Sequence, residues 1–323
     1  MIKKTLLILI SLFILLSCSA SITSSGEVLI KKYDIDISQD DAVISQQIEQ
    51  NLKAYFAEKE SYKVILTGTP KDYTQSANKS LYILILEAAA KLNTAMDIKV
   101  DLKNIDFQDG SVKANMFSSR GVSQYKDIVI NFVFPENKIR TIEYHSFWEL
   151  NNTKEITLPD SVITIKERAF INSSSIEKLT LGNGLIEIGD FAFSGIYNLK
   201  EIIIPDSVKT IGVGAFFQSK IETLQLSSSL ESIGENAFGG CNMKTFEIPV
   251  SVKSIGSMAF AFCLNLTQVT YHGKTPNDIS YGKEVFRNCD KLTTLLLQMQ
   301  AAEKPDDPAW YGFLGHKFLH VYY

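Results

Sequence analysis

The chain has 323 residues, enough for two domains or one extended architecture. It is 45% hydrophobic and 21% charged, which excludes a disordered or low-complexity chain. Lys and Arg number 32 against 36 Asp and Glu, a net charge of −4, so no strong field recruits nucleic acid or an anionic membrane.

Met1-Ile2-Lys3-Lys4 is a short basic start, followed by Leu6 to Leu16, apolar except for Ser11. That run falls short of the about 20 residues a spanning helix needs, and it fits the core of a secretory signal. Leu15-Leu16-Ser17-Cys18 resembles the lipobox of bacterial lipoproteins, in the looser form with Leu16 at −2. The resemblance implies a signal peptide over residues 1–17, cleavage before Cys18 and acylation of Cys18. The alternative is an ordinary secretory signal with an incidental cysteine. Several acyl chains, at about 0.8 kcal/mol per buried CH₂, anchor a protein where one does not. Residues 18–26 are Ser-rich and are expected to be a flexible tether.

Residues 27–127 read as a small α/β region. Val28–Ile37 alternates as a strand does. Ser38-Gln39-Asp40-Asp41 resembles a capping box with Asp in place of Glu. Ile44, Ile48, Leu52, Tyr55 and Phe56 share one face of the helix that follows. Tyr62–Thr67 is the next strand. Leu81, Leu84, Ile85, Ala88 and Leu92 mark a second amphipathic helix, and Ile98, Val100 and Leu102 a third strand. The last helix and strand are placed to cap what comes after them. Val112–Phe117 has the look of a degenerate repeat, although Phe117 lies 30 residues before Phe147.

From there the chain repeats itself. Phe147, Phe170, Phe193, Phe216, Phe238, Phe260 and Phe286 recur every 22 or 23 residues, with 26 before the last. Each unit opens with an apolar-x-apolar pair, such as Ile156/Leu158, Leu179/Leu181 and Ile202/Ile204, read as a short half-buried strand. A turn follows, as in Pro159-Asp160-Ser161 or Gly182-Asn183-Gly184. Then come a second apolar pair (Val162/Ile165, Val208/Ile211) and, in later units, Gly189, Gly212, Gly234 or Gly256. At these glycines positive φ or a close backbone approach is expected. Ala-Phe and a last apolar residue close the unit. One unit cannot bury a core, but stacked units can, each Phe lying over its neighbour's. After Leu297 the pattern stops. Pro305–Pro308 is a loop, and Trp310, Phe313, Phe318, Tyr322 and Tyr323 are expected to cover the end.

The tokens Ile204–Gly212 (IPDSVKTIG) and Asn236–Cys241 (NAFGGC) resemble the consensus of the BspA-like, or Treponema-type, leucine-rich repeat family. The resemblance implies an α/β fold built around a leucine-rich-repeat solenoid with parallel strands. The solenoid is expected over residues 128–297, preceded by the α/β region and closed by a C-terminal cap over residues 298–323. Family members are mostly bacterial surface proteins that bind other proteins.

Candidate chemistry is sparse. Cys241, Cys263 and Cys289 each stand three residues after a column Phe, so they stack as neighbours. One disulfide between neighbours is conceivable, and three buried thiols acting as small hydrophobes is the alternative. His316 and His320 lack an acidic companion at metal-binding spacing. Asp34, Asp36, Asp40 and Asp41 fail the EF-hand pattern, which needs Gly and Glu where Gln39 and Ser45 stand. Asp160-Ser161 and Asp206-Ser207 recur in turns and read as turn chemistry rather than nucleophiles. No catalytic residue, metal or cofactor is assigned.

The remaining candidate is a surface. Glu155, Thr157, Lys178, Thr180, Glu201, Ile203, Thr223, Gln225, Thr245, Glu247, Gln268 and Thr270 flank the buried strand residues and point outward. They form two mostly polar columns, with Ile203 the one apolar member. The chain therefore reads as a cell-envelope lipoprotein, lipid-anchored in the outer membrane or at the cell surface. It would present a protein-binding surface for adhesion to host or neighbouring cells. A periplasm-facing scaffold, or an enzyme carried by residues 27–127, are the alternatives. The partner's identity is not in the sequence, and nucleic acid is not expected.

Overall fold

The computed structural model describes residues 20–22, 28–30, 32–75, 79–122, 125, 127–298 and 307–323. Cys18 and the apolar start lie outside the described residues. Strand β1 (Ala20–Ile22) pairs antiparallel with β2 (Val28–Ile30), so part of the expected tether is paired chain. The β-branched and aliphatic composition of Val28–Ile30 favours extended pairing over a free linker. The expected strand over Val28–Ile37 is split, because β3 (Asp34–Asp36) belongs to a different sheet.

Helix α1 spans Asp41–Lys59, β4 spans Tyr62–Gly68, α2 spans Leu81–Ala90 and β5 spans Met96–Ile105. Strand β6 is Ser111–Val112 and β7 is Ile128–Val133. Strands β3, β4, β5 and β7 form a parallel four-stranded sheet in that order. Ile44, Ile48 and Leu52 of α1 are buried, but Phe56 is 43% exposed and stacks on Tyr62 instead of entering the core. The capping box does not form. Asp40 is the N-cap without a side-chain bond, and the Asp41 carboxylate takes the Lys71 ammonium and the Lys79 N–H. Ser38 bonds back to Asp36.

Helix α2 is apolar nearly all round, and it is buried accordingly. Tyr82 and Leu86 are enclosed along with the expected Leu81, Leu84, Ile85 and Ala88, while Leu92 lies past the helix end. The start of α2 closes the repeats: the Leu81 N–H donates to Met116 O at 2.9 Å, and Ser80 Oγ donates to Ser118 O. Tyr82 Oη accepts the Asn152 N–H at 3.1 Å and lies 3.0 Å from Thr153 Oγ1. Tyr82→Phe is expected to cost about 1–3 kcal/mol, because it strands a buried N–H while barely changing volume. Chemical denaturation of both proteins measures it, and an unchanged midpoint would contradict the anchoring role.

The repeats follow. They contain β8 (Thr141–Ile142), β9 (Glu155–Thr157), β10 (Thr164–Ile165), β11 (Lys178–Thr180), β12 (Glu187–Ile188) and β13 (Glu201–Ile203). Next come β14 (Thr210–Ile211), β15 (Thr223–Gln225), β16 (Ser232–Ile233), β17 (Thr245–Ile248) and β18 (Ser254–Ile255). The last are β19 (Gln268–Tyr271), β20 (Ser280–Tyr281), β21 (Thr294–Leu297) and, beyond a 3₁₀ helix over Pro308–Gly315, β22 (His320–Tyr322). The continuous ladder is made by the second apolar pair of each unit. Eight parallel strands run β20-β18-β16-β14-β12-β10-β8-β6, with Ile142, Ile165, Ile188, Ile211, Ile233 and Ile255 in register. The array thus begins at Ser111–Val112, and the Val112–Phe117 segment is a true unit whose ring stacks on Phe147 at 5.3 Å.

Phe117, Phe147, Phe170, Phe193, Phe216, Phe238, Phe260 and Phe286 form one buried column. Successive centroids are 4.8 Å apart at closest (Phe147–Phe170) and 5.8 Å at most (Phe260–Phe286), with rings close to parallel. From Phe147 onward the residues two before and two after each ring are left-handed, as in Arg168 and Asn172 (φ 54 and 58), Phe191 and Gly195 (53 and 75), Gly214 and Gln218 (57 and 58). Such a conformation costs a non-glycine residue about 1–3 kcal/mol. The units from Phe170 to Phe260 each offset it with three bonds to the next: the N–H groups of Phe191, Phe193 and Gly195, for example, donate to the carbonyls of Val213, Ala215 and Phe217 at 2.7, 2.7 and 2.9 Å. At Gly189, Gly212, Gly234 and Gly256 the sequence leaves positive φ or a close backbone approach as the reason for glycine. Those glycines have ordinary φ, and close approach is their reason: a Cβ on Gly234 would meet the Gly212 carbonyl carbon at 2.4 Å.

At the far end Trp310, Phe313 and Phe318 are buried, Phe313 stacking on Tyr271 at 4.8 Å. Tyr322 and Tyr323 are exposed and supply no cover, because β22 extends the outer sheet as its edge strand.

Candidate functional site

The outward residues stand where the alternation of short strands puts them. On β9, β11, β13 and β15 the middle residue is buried and both neighbours are exposed, and β17 continues the pattern. Register brings Glu155 beside Lys178, Thr157 beside Thr180, Glu201 beside Thr223, Ile203 beside Gln225, Thr245 beside Gln268 and Glu247 beside Thr270. Two members depart from the expected stripe. Gln268 is half-buried and Thr270 is only 4% exposed, so Thr270 offers nothing to a partner. Thr270 is a short side chain on a central strand, flanked in register by the longer Glu247 and Leu296.

The face is polar but internally neutralised. Glu155 and Lys178 are 3.9 Å apart, Lys154 and Glu177 3.6 Å, and Lys200 and Glu222 2.7 Å. His272 Nε2, which the sequence did not single out, lies 2.8 Å from Glu247. All are exposed pairs, each of about 0–1 kcal/mol at most. Ile203 stands among them 53% exposed.

This face is also broken. Strands β9 and β11 form one pair, β13 and β15 another, and β17, β19, β21 and β22 a four-stranded group. No backbone hydrogen bond among the described residues joins β11 to β13 or β15 to β17. On one side of each seam the inward residues are the leakiest of the row, Leu179 and Leu181 at 7% and 6% and Leu224 and Leu226 at 8% and 7%, while across the seams Ile202 and Phe246 stand at 1% and 2%. At the β15–β17 seam a groove of about 640 Å³ opens, lined by Leu224, Leu226, Phe246, Pro249 and Val250 with Glu222, Glu247 and His272.

The other candidates resolve into architecture. The three cysteines are free thiols, and each Sγ donates to the carbonyl of the preceding unit's Phe: Cys241 to Phe216 O, Cys263 to Phe238 O and Cys289 to Phe260 O, at 3.6, 3.4 and 3.1 Å. Ser173 and Ser219 make the same bond to Phe147 O and Phe193 O, so this is a donor column. Burial pushes the Cys241 thiol up to about 12. The bond with Cys289, then burial, holds Cys263 well above the usual thiol range. Neither is a ready nucleophile.

His316 Nε2 contacts Leu292 O at 2.8 Å and its ring meets Phe286 edge-on, while His320 stands on β22. The turn aspartates tie units together: Asp160 accepts the Asn183 N–H, and Asp206 accepts the Ser228 N–H, which holds its carboxyl below the usual range. Ser161 and Ser207 donate to Ile139 O and Leu185 O. Asp36 receives Ser38, and no group of three or more metal-ligand side chains comes together among the described residues.

Comparison with known proteins agrees with this anatomy. The sequence matches the family described as BspA type leucine rich repeat region, in 6 copies, over residues 119–241 and 219–304. A leucine-rich repeat protein from Bacteroides ovatus is similar at 19% identity and TM-score 0.51, over 80% of this chain and 66% of its own. The chain thus spans just under two thirds of that protein, and the likeness concerns the fold. A T. pallidum leucine rich repeat protein is 28% identical over 51% of this chain and 77% of its own, with a TM-score of 0.46. A leucine rich cell surface protein from Faecalibacterium prausnitzii is 19% identical over 79% of this chain and 76% of its own, with a TM-score of 0.39. A search of curated proteins gives no match. With more than half its length matched, the chain belongs to the BspA type leucine-rich repeat family.

Proposed function

We propose that this protein is an envelope-anchored lipoprotein whose outer strand face binds a protein partner, in adhesion to host or neighbouring cells. The observation that carries the reading is the row of exposed side chains on β9 to β17, set at fixed register on a stack that the Phe column holds rigid. A rigid row pays little ordering entropy on contact, so affinity comes from shape and a few well-placed groups. Repeats of this family suit protein–protein interaction and serve as binding scaffolds rather than enzymes. The working residues are Glu155, Thr157, Lys178, Thr180, Glu201, Ile203, Thr223, Gln225, Thr245 and Glu247, with Gln268 at the margin.

Ile203→Glu tests the face. An exposed apolar residue amid polar ones is the natural centre of a contact, so binding to immobilised matrix or envelope proteins should fall about tenfold. Equal binding by the variant removes the face from consideration. The anchor is tested separately. Wild-type protein should incorporate labelled palmitate in cells and Cys18→Ser should not; equal labelling defeats the lipoprotein reading. Protease treatment of intact cells then tells a surface protein, which is cut, from a periplasmic scaffold, which is protected.

A further inference from the structure

The seam between β15 and β17 is a built recess in the face proposed for binding, and this inference rests on that proposal. Its floor is apolar, from Leu224, Leu226 and Phe246, with Val250 63% exposed at its edge. Its charged lining is two carboxylates, Glu222 and Glu247, and one imidazole, His272, which carries a full charge only when protonated. Lys200 reaches Glu222 at 2.7 Å from outside the lining. Among the described residues, the strand edges that face each other across the seam share no backbone bond, so β15 is held only by β13 and β17 only by β19.

From this combination we infer that the β15–β17 groove takes an extended segment of the partner protein, carrying an aliphatic side chain next to Lys or Arg. The aliphatic group fills the floor, where it leaves water. The cation meets Glu222 and Glu247 in exchange for their contacts with Lys200 and His272. An acidic segment would bring like charges together at the rim.

The test is selection of a random nonapeptide library, displayed on phage, against the purified protein. Thr245→Trp fills the groove from β17, and Gln225→Trp fills it from β15 should the first variant fail to fold; both residues line it. Glu247→Lys reverses one rim charge. Cooperative thermal unfolding certifies each variant. The expected result is enrichment of peptides with an aliphatic residue beside Lys or Arg. Their synthetic forms should lose about tenfold or more in affinity on the tryptophan variant and on Glu247→Lys. Enrichment of acidic sequences, or of none, overturns the inference. So does self-association of the free protein that the tryptophan variant abolishes, since a second copy would then be the occupant. Peptides weakened by Ile203→Glu but not by either groove variant overturn it while leaving the face reading intact. Peptides indifferent to all of them remove both.

Discussion

Phe216→Ala should lower the stability of the repeat array by about 3–5 kcal/mol. Phe216 is fully enclosed, with Phe193 at 5.2 Å on one side and Phe238 at 5.3 Å on the other. Removing its ring takes away two stacking surfaces and leaves a hole that the neighbours cannot close. Their positions are fixed by the Phe193 N–H to Ala215 O and Phe216 N–H to Ala237 O bonds, both 2.7 Å. The cavity term therefore stays large. Urea unfolding followed by far-UV circular dichroism measures it. Because each unit touches only its neighbours, the loss should also weaken coupling between the halves, visible as a broader transition. A wild-type midpoint would show that the column contributes packing without stability.

Gly234→Val is the second large effect, and it acts through excess rather than loss. A Cβ at this position would sit 2.4 Å from Gly212 C, 2.5 Å from Val213 N and 2.6 Å from Gly212 O. All three are backbone atoms of the preceding unit, so no side chain can turn away. The units must separate, against the 2.8 Å bond from the Gly234 N–H to Ile211 O. Overpacking of this kind costs about 1–3 kcal/mol, and occasionally more, and rigid backbone contacts place this case at the upper end. Gly312→Ala is the matching control, since nothing lies within 4 Å of its missing Cβ. It should leave the melting temperature nearly unchanged. Equal melting temperatures for the two variants would refute the close-approach account.

The repeat was legible because its period is a packing period. The interval between phenylalanines is set by the circumference of one unit, so Phe170, Phe193 and Phe216 had to coincide. The helix at Ile44–Leu52 was legible for the same reason, its apolar spacing being a direct image of one buried side, whereas Leu81–Ala88 reads as one apolar face of a helix that is in fact buried nearly all round.

What escaped is what backbone geometry decides. Thr164–Ile165 and its equivalents are two-residue strands, too short to show alternation, yet they make the longest ladder. Several left-handed positions are held by Arg168, Phe191, Gln218 and Met258, residue types that carry no such signal, beside Asn172, Gly195 and Gly214, which do. Carbonyls of the next unit force them there. The groove was invisible because the seam that opens it is a missing set of bonds between strands whose sequences look like all the others. Thr270 was misjudged because alternation gives a side chain's direction but not what neighbours screen it.

The turn ladder has one direction. The N–H groups around each ring from Phe117 to Phe260 give forward, and the carbonyls around the following ring receive them. Each unit from Phe170 to Phe260 therefore carries the same plug of three donors on one side and a socket on the other. A gene that duplicates or drops one of these units in frame creates a join with the same turn bonds as those already present. The array can change its reach without any new interface having to be invented, and only the two terminal closures need to stay as they are.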